Sequence, residues 1–230
     1  MAPETVLITG ASRGLGLGIA RRCRASGRRV LACCRRPESA HELNRLSGSG
    51  LTLHRLDVTE PQSVASLAKE IAGIPIDILV HNAGIYGRRD GQRLGVIDYD
   101  AWRSVLETNL LGPVRVTEAL LPNVSASRRR LVVAMTSQMG SISGTSGGSY
   151  AYRSSKAALN MAMKSLAADL ASRRISVIVV HPGWVRTDMG GDQAALEVDE
   201  SAQAIVALFD RVGPDDSGRF FDWRGDEIPW

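Results

Sequence analysis

Short apolar, β-branched runs recur along the chain, and longer stretches with helical patterning fill the gaps between them. Residues 5–8, 28–34, 51–56, 76–80, 131–135 and 175–180 have the length and composition of strands, and 218–221 offers a seventh. Between them the pattern predicts helices: one after Gly14 through Ala25, stopped by Gly27, and one from Thr59 or Glu60 to about Ala72. A third runs from a cap at Asp98 or Asp100 towards Leu121, with Gly112-Pro113 inside it. An Ala-rich helix free of Gly and Pro spans 150–172, and a last one covers 198–211. Strands alternating with helices predict an α/β fold, a doubly wound, mainly parallel sheet of Rossmann type, as a single domain over residues 1–230.

Composition narrows the setting. At 230 residues the chain suits one large domain, and 44% hydrophobic with 23% charged residues is ordinary for a soluble globular protein. A net charge of +4 is mildly basic, but no basic stripe with aromatic platforms accompanies it, so nucleic acid is not an expected partner. Arg128-Arg129-Arg130 reads as a solvated connection. Cys23, Cys33 and Cys34 form neither a zinc spacing nor a disulfide framework, which points to a reducing cytoplasm. The first strand begins too early for a signal peptide, and no run reaches the length of a membrane span. His41, His54 and His181 are scattered, so no metal site is expected.

The chemistry-bearing residues fall at strand ends. The first strand runs into Thr9-Gly10-Ala-Ser12-Arg13-Gly14-Leu15-Gly16 and then a helix, the context of a phosphate-binding loop. Its glycines allow a tight turn and close backbone approach, and the helix N-terminus attracts a pyrophosphate. The second strand ends in Cys34-Arg35-Arg36 without a carboxylate. Arginine there suits a 2′-phosphate, where an acid would bind a ribose hydroxyl. Tyr152 and Lys156 lie four apart on the Ala-rich helix, hence on one face, and a neighbouring ammonium lowers a phenol's pKa. Lys156 is one of only three lysines, with Lys69 and Lys164, among 28 basic residues. Gly10, Arg35, Asp57, Asn82, Ser137 and Pro182 all stand at carboxyl ends of strands, the edge where such sheets bind ligands.

Taken in order, Thr9-Gly10-Ala-Ser-Arg-Gly14-Leu-Gly16, Asn82-Ala83-Gly84, Asn109, Ser137, Tyr152-x-x-x-Lys156 and Pro182-Gly183 resemble the short-chain dehydrogenase/reductase family over essentially the whole chain. Tyr-Arg-x-Ser-Lys-Ala-Ala-Leu-Asn-Met, His-Pro-Gly-Trp-Val-x-Thr-Asp-Met-Gly-Gly and the Phe-Phe…Pro-Trp ending are similar to its C-factor and sniffer-type carbonyl reductases. The resemblance implies an NADP(H)-dependent oxidoreductase acting on a small-molecule carbonyl or alcohol. Tyr152 would be the general acid/base. Lys156 would hold the nicotinamide ribose and depress the Tyr152 pKa, Ser137 would orient the carbonyl, and Asn109 would hold a relay water. Asp57 and Val58 would lie at the adenine, Asn82-Ala83-Gly84 along the nucleotide, and Pro182, Gly183, Val185 and Thr187 near the nicotinamide. Tyr86 and Trp184 are candidates for the substrate wall or for core packing. A nucleotide-sensing or signalling protein on the same fold is the alternative. Family members pair through helices equivalent to 102–121 and 150–172, both apolar on more than one face here, so a homodimer or homotetramer is expected.

Two departures stand out. His81 replaces the family's usual first Asn, with little effect expected. The serine commonly lies 13 positions before the tyrosine, which here is Met139, whereas Ser137 has that spacing from Tyr150. Tyr150 has Ser154 and no lysine one turn on, so the consistent site keeps Tyr152 with Ser137 and lets the Gly-rich loop bulge by two residues. Ser141 and Ser143 remain rivals for the same role.

Overall fold

The computed structural model describes residues 2–48 and 50–230. Seven strands form one parallel sheet: β1 (Thr5–Thr9), β2 (Arg29–Cys34), β3 (Leu51–Arg55), β4 (Ile78–His81), β5 (Leu131–Met135), β6 (Ser176–His181) and β7 (Phe220–Asp222), in the order β3-β2-β1-β4-β5-β6-β7. Among the described residues seven α-helices connect them: α1 (Gly14–Ala25), α2 (His41–Leu46), α3 (Pro61–Glu70), α4 (Tyr99–Leu106), α5 (Gly112–Ser125), α6 (Tyr150–Leu170) and α7 (Val198–Arg211). The strand order reverses between β1 and β4, and the crevice at that switch point is where open α/β sheets bind ligands.

The central strands are apolar throughout because both faces are covered. Successive residues point to opposite sides. Val6, Ile8, Val133 and Val180 therefore join Ile19 and Phe209 of α1 and α7, while Leu7, Val132 and Val179 join Leu67, Leu120 and Met163 of α3, α5 and α6. Among the described residues no helix is long and apolar enough to cross a membrane.

The predicted elements form within a few residues of their expected ends, with two differences. The short helix α2 had no signal, since six residues do not establish a period. The helix expected from 98 towards 121 is broken into α4 and α5 by a wider π turn, Glu107–Leu111. Pro113 accounts for the break. It has no N–H to give the Asn109 carbonyl four residues back, and its ring would collide there in a regular helix. Asp98 is the cap, its carboxylate accepting from Ala101 N at 2.9 Å.

Candidate active site

A cleft of about 1440 Å³ lies along the carboxyl edge of the sheet. It is lined by Gly10, Ser12, Arg13, Gly14, Leu15, Gly16, Arg35, Asp57, Val58, Asn82, Ala83, Gly84, Ser137, Tyr152, Lys156, Pro182, Gly183, Val185 and Thr187. Every residue of the expected site but one is thus brought to a single surface, which the rivals Ser141 and Ser143 do not reach. The exception, Asn109, is fully buried behind the wall.

At one end the backbone comes unusually close to itself. Gly10 has φ +66°, and a Cβ there would stand 2.8 Å from the Ala83 Cα. A Cβ on Gly16 would collide with the Asn82 amide and the Gly10 carbonyl. Asn82 fixes this corner by donating from Nδ2 to the Thr9 and Gly10 carbonyls, both at 3.0 Å. Arg13 of the glycine loop lines the cleft and is paired with the exposed Asp188 on the loop after β6. Arg35 has no carboxylate partner among the described residues. The fit of a dinucleotide phosphate rests on these features: a loop that excludes side chains, a helix N-terminus, and an unspent guanidinium at the end of β2.

At the other end Tyr152 and Lys156 are buried side by side on α6, the Lys156 Nζ 5.7 Å from the Tyr152 ring centroid. Contrary to expectation, the phenol's pKa is raised, to about 12. Burial is the main cause, the Ser137 hydroxyl opposes it by hydrogen bonding, and the nearby Tyr86 adds to it. Lys156 does not offset this. Its ammonium donates to the Met135 carbonyl at 2.8 Å, and burial pulls its own pKa down to about 8. Tyr152 therefore keeps its proton at neutral pH.

Of the three candidate serines, Ser137 is the one brought to Tyr152. Ser137, at the end of β5, has its hydroxyl on Tyr152 and accepts from Met139 N at 3.1 Å. Ser141 turns away, donating to the Pro229 carbonyl at 2.7 Å, and Ser143 lies with it at 3.1 Å. Tyr150 is outside the cleft, 6.4 Å from the Trp102 ring. The extra loop length is absorbed where Gly147, Gly148 and Ser149 take positive φ.

Asn109 anchors the wall. Its side chain accepts from Ile85 N at 2.8 Å and donates to the Ile85 carbonyl at 2.8 Å and to Ser155 Oγ at 3.0 Å. Its side-chain amide is thus committed to backbone and Ser155, not turned into the cleft. His81 is buried with Nε2 on Thr117 Oγ1 at 2.8 Å, and burial lowers its pKa to about 3, so it is a neutral wedge under the site. Tyr86 and Trp184 both line the cleft. Tyr86 stacks on Tyr152 with centroids 4.6 Å apart, and Trp184 donates to the Gly190 carbonyl at 2.9 Å.

Sequence reasoning missed Gln92, a lone polar residue in what looked like a plain loop. It is buried at 3% exposure. Its Oε1 accepts from Tyr152 N at 2.9 Å, at the head of a helix whose N-cap side chain, Ser149, bonds the Tyr86 hydroxyl and not the helix backbone. Its Nε2 donates to the Tyr86 and Arg88 carbonyls at 2.8 and 3.2 Å. No local pattern marks a cap supplied from 60 residues away.

Comparison with known proteins gives this geometry a relative. Residues 4–197 match the family model of short chain dehydrogenase. C-signal of Myxococcus xanthus is 43% identical over 166 residues, covering 72% of this chain and 99% of that protein. The structure of carbonyl reductase Sniffer of D. melanogaster superposes with a TM-score of 0.94 at 34% identity, over 99% of this chain and 100% of the other. An NADPH-bound carbonyl reductase from chicken fatty liver does so at 0.92 and 30% identity, with both chains wholly covered. With the family's model running through the glycine loop, the Tyr152 helix and the turn after β6, the chain belongs to the short-chain dehydrogenase family.

Proposed function

We propose that the chain, working as one domain over residues 1–230, is an NADP(H)-dependent oxidoreductase of the carbonyl reductase or alcohol dehydrogenase type. The observation that carries this reading is a protonated phenol, Tyr152, held between the Ser137 hydroxyl and the Tyr86 ring in the same cleft as the glycine turn. The NADPH-bound relative supports the choice of cofactor. When bound, NADPH supplies the hydride.

The chain's own residues do the rest. The turn from Gly10 to Gly16 and the start of α1 receive the pyrophosphate, and Arg35 receives the 2′-phosphate. Asp57 and Val58 border the adenine, Asn82-Ala83-Gly84 run along the nucleotide, and Pro182, Gly183, Val185 and Thr187 border the nicotinamide. Lys156 holds the ribose hydroxyls. Ser137 orients the substrate carbonyl, and Tyr152 gives its proton to the oxygen as negative charge develops there. Asn109 fixes the wall behind Lys156 and presents its backbone carbonyl for a relay water, since Pro113 has no N–H to occupy it. A pure nucleotide sensor would need neither the phenol nor its serine. The outer faces of α4, α6 and the π turn leave Tyr99, Met161 and Leu111 exposed, which supports a homo-oligomer.

The test is NADPH oxidation against a panel of aldehydes and ketones, with Tyr152→Phe beside the native chain. Turnover by the native chain is expected, and its loss in the variant with NADPH binding retained. Near-normal turnover by Tyr152→Phe would show that the acid lies elsewhere.

A further inference from the structure

We propose that Arg89 and Arg153 form a carboxylate subsite beside Tyr152, so that the favoured substrate is an oxo carboxylate and not a neutral carbonyl compound. This rests on the carbonyl reductase reading above and names its substrate class.

Six arginines line the cleft: Arg13, Arg35, Arg89, Arg103, Arg153 and Arg186. Three have carboxylate partners: Arg13 with Asp188, Arg103 with Asp100, and Arg186 with Glu197. Arg35 stands at the far end, below β2. Arg89, stacked on Tyr86, and Arg153, which follows Tyr152 on α6, have no carboxylate partner among the described residues. The lining carboxylates are already engaged: Asp57 accepts from Thr59, Glu107 pairs with Arg115, and Asp188 pairs with Arg13. The substrate end is therefore a cationic pocket with no counter-charge of its own.

The two side chains come from different walls. Arg153 follows Tyr152 on α6 and donates to Ser146 Oγ at 2.8 Å, but its buried Nε has no hydrogen-bond partner. Turning towards an anion would forfeit one neutral bond and give that donor a use. Arg89 lies 4.7 Å over the Tyr86 ring, which itself stacks on Tyr152. It also donates to the Met189 carbonyl at 2.7 Å, reaching from the loop after β4 to the loop after β6. Both guanidinium groups thus line the same cleft as the Tyr152 phenol, together with Tyr86 and Met139. Guanidinium suits a planar carboxylate through paired, charge-assisted bonds.

The experiment compares a homologous series of ω-oxo carboxylates with their methyl esters, at low and high salt, with NADPH. The best acid should exceed its ester in kcat/KM by about tenfold or more, and the advantage should shrink as salt rises. Arg89→Gln and Arg153→Gln should each lower kcat/KM for the acid at least about tenfold more than for the ester. Esters reduced as well as acids, or acid and ester losing equally in the variants, would overturn the subsite while the reductase reading stood. If no carbonyl compound were reduced, the reductase reading would fail. The subsite is then decided by calorimetric titration with the matching dicarboxylates: binding that is lost in the Arg89→Gln/Arg153→Gln double variant supports it, and no binding refutes it.

Discussion

Gln92 ties the loop after β4 to the reacting tyrosine, and its replacement by leucine isolates that link. Leucine is close in volume, so the change removes hydrogen bonds and opens no large hole. Three are lost: the acceptor for Tyr152 N and the donors to the Tyr86 and Arg88 carbonyls. At about 1 kcal/mol net for each, the native state should lose about 3 kcal/mol, and more if the orphaned groups find no water. For a chain of this size that corresponds to a fall in Tm of about 6–12 °C. Function should suffer separately. Tyr86 is released from its stack on Tyr152 and the first turn of α6 loses its cap, so the phenol's alignment loosens. We expect kcat/KM for a carbonyl substrate to drop by about tenfold or more, and the NADPH dissociation constant to stay within about twofold. Gln92→Glu keeps the acceptor for Tyr152 N but turns both donors into repulsions, so it should damage the Tyr86 side and spare the cap. Thermal unfolding, NADPH titration and steady-state kinetics on the same variants provide the assay. A lowered Tm with unchanged kcat/KM would make Gln92 a structural residue only and refute the reasoning.

Three further outcomes are expected. Ser137→Ala should lower kcat/KM at least about tenfold, while Ser141→Ala, Ser143→Ala and Tyr150→Phe cost much less; the reverse ranking would misplace the orienting hydroxyl. NADPH should bind about ten- to a hundredfold more tightly than NADH, from one charge-assisted contact at Arg35, and Cys34→Asp with Arg35→Ala should move the preference towards NADH. Equal native dissociation constants would remove Arg35 from the phosphate site. In kcat/KM, which reports the free enzyme, the alkaline limb should fall near pH 8 as the Lys156 ammonium deprotonates, because Tyr152 keeps its proton to about 12. A pH profile flat to 10 would show that Lys156 is not needed in its charged form.

The sequence alone determined the features that depend on local pattern. A buried parallel strand declares itself as a short apolar run, and a glycine turn between strand and helix has few other uses, so sheet, helices and cleft edge were legible from residues 5–16 onward. The pairing of Tyr152 with Lys156 follows from helix geometry, and the choice of Ser137 over Met139 followed from requiring a hydroxyl at a strand end. Tertiary structure decided what depends on partners distant in the chain. Whether Lys156 depresses the Tyr152 pKa was set by burial and by the Met135 carbonyl that claims the ammonium, neither visible in a four-residue spacing. Arg13 met Asp188 only because the loop after β6 folds across the glycine turn. The π turn at Asn109 needed Pro113 to act on a carbonyl that the fold had already buried. Gln92 became the cap of α6 because the loop after β4 folds back beside a helix whose own N-cap side chain leaves its first turn unsatisfied. Periodicity reports which face of an element is buried. It does not report which distant polar group will meet an unpaired donor there, since that depends on how the elements are set against one another.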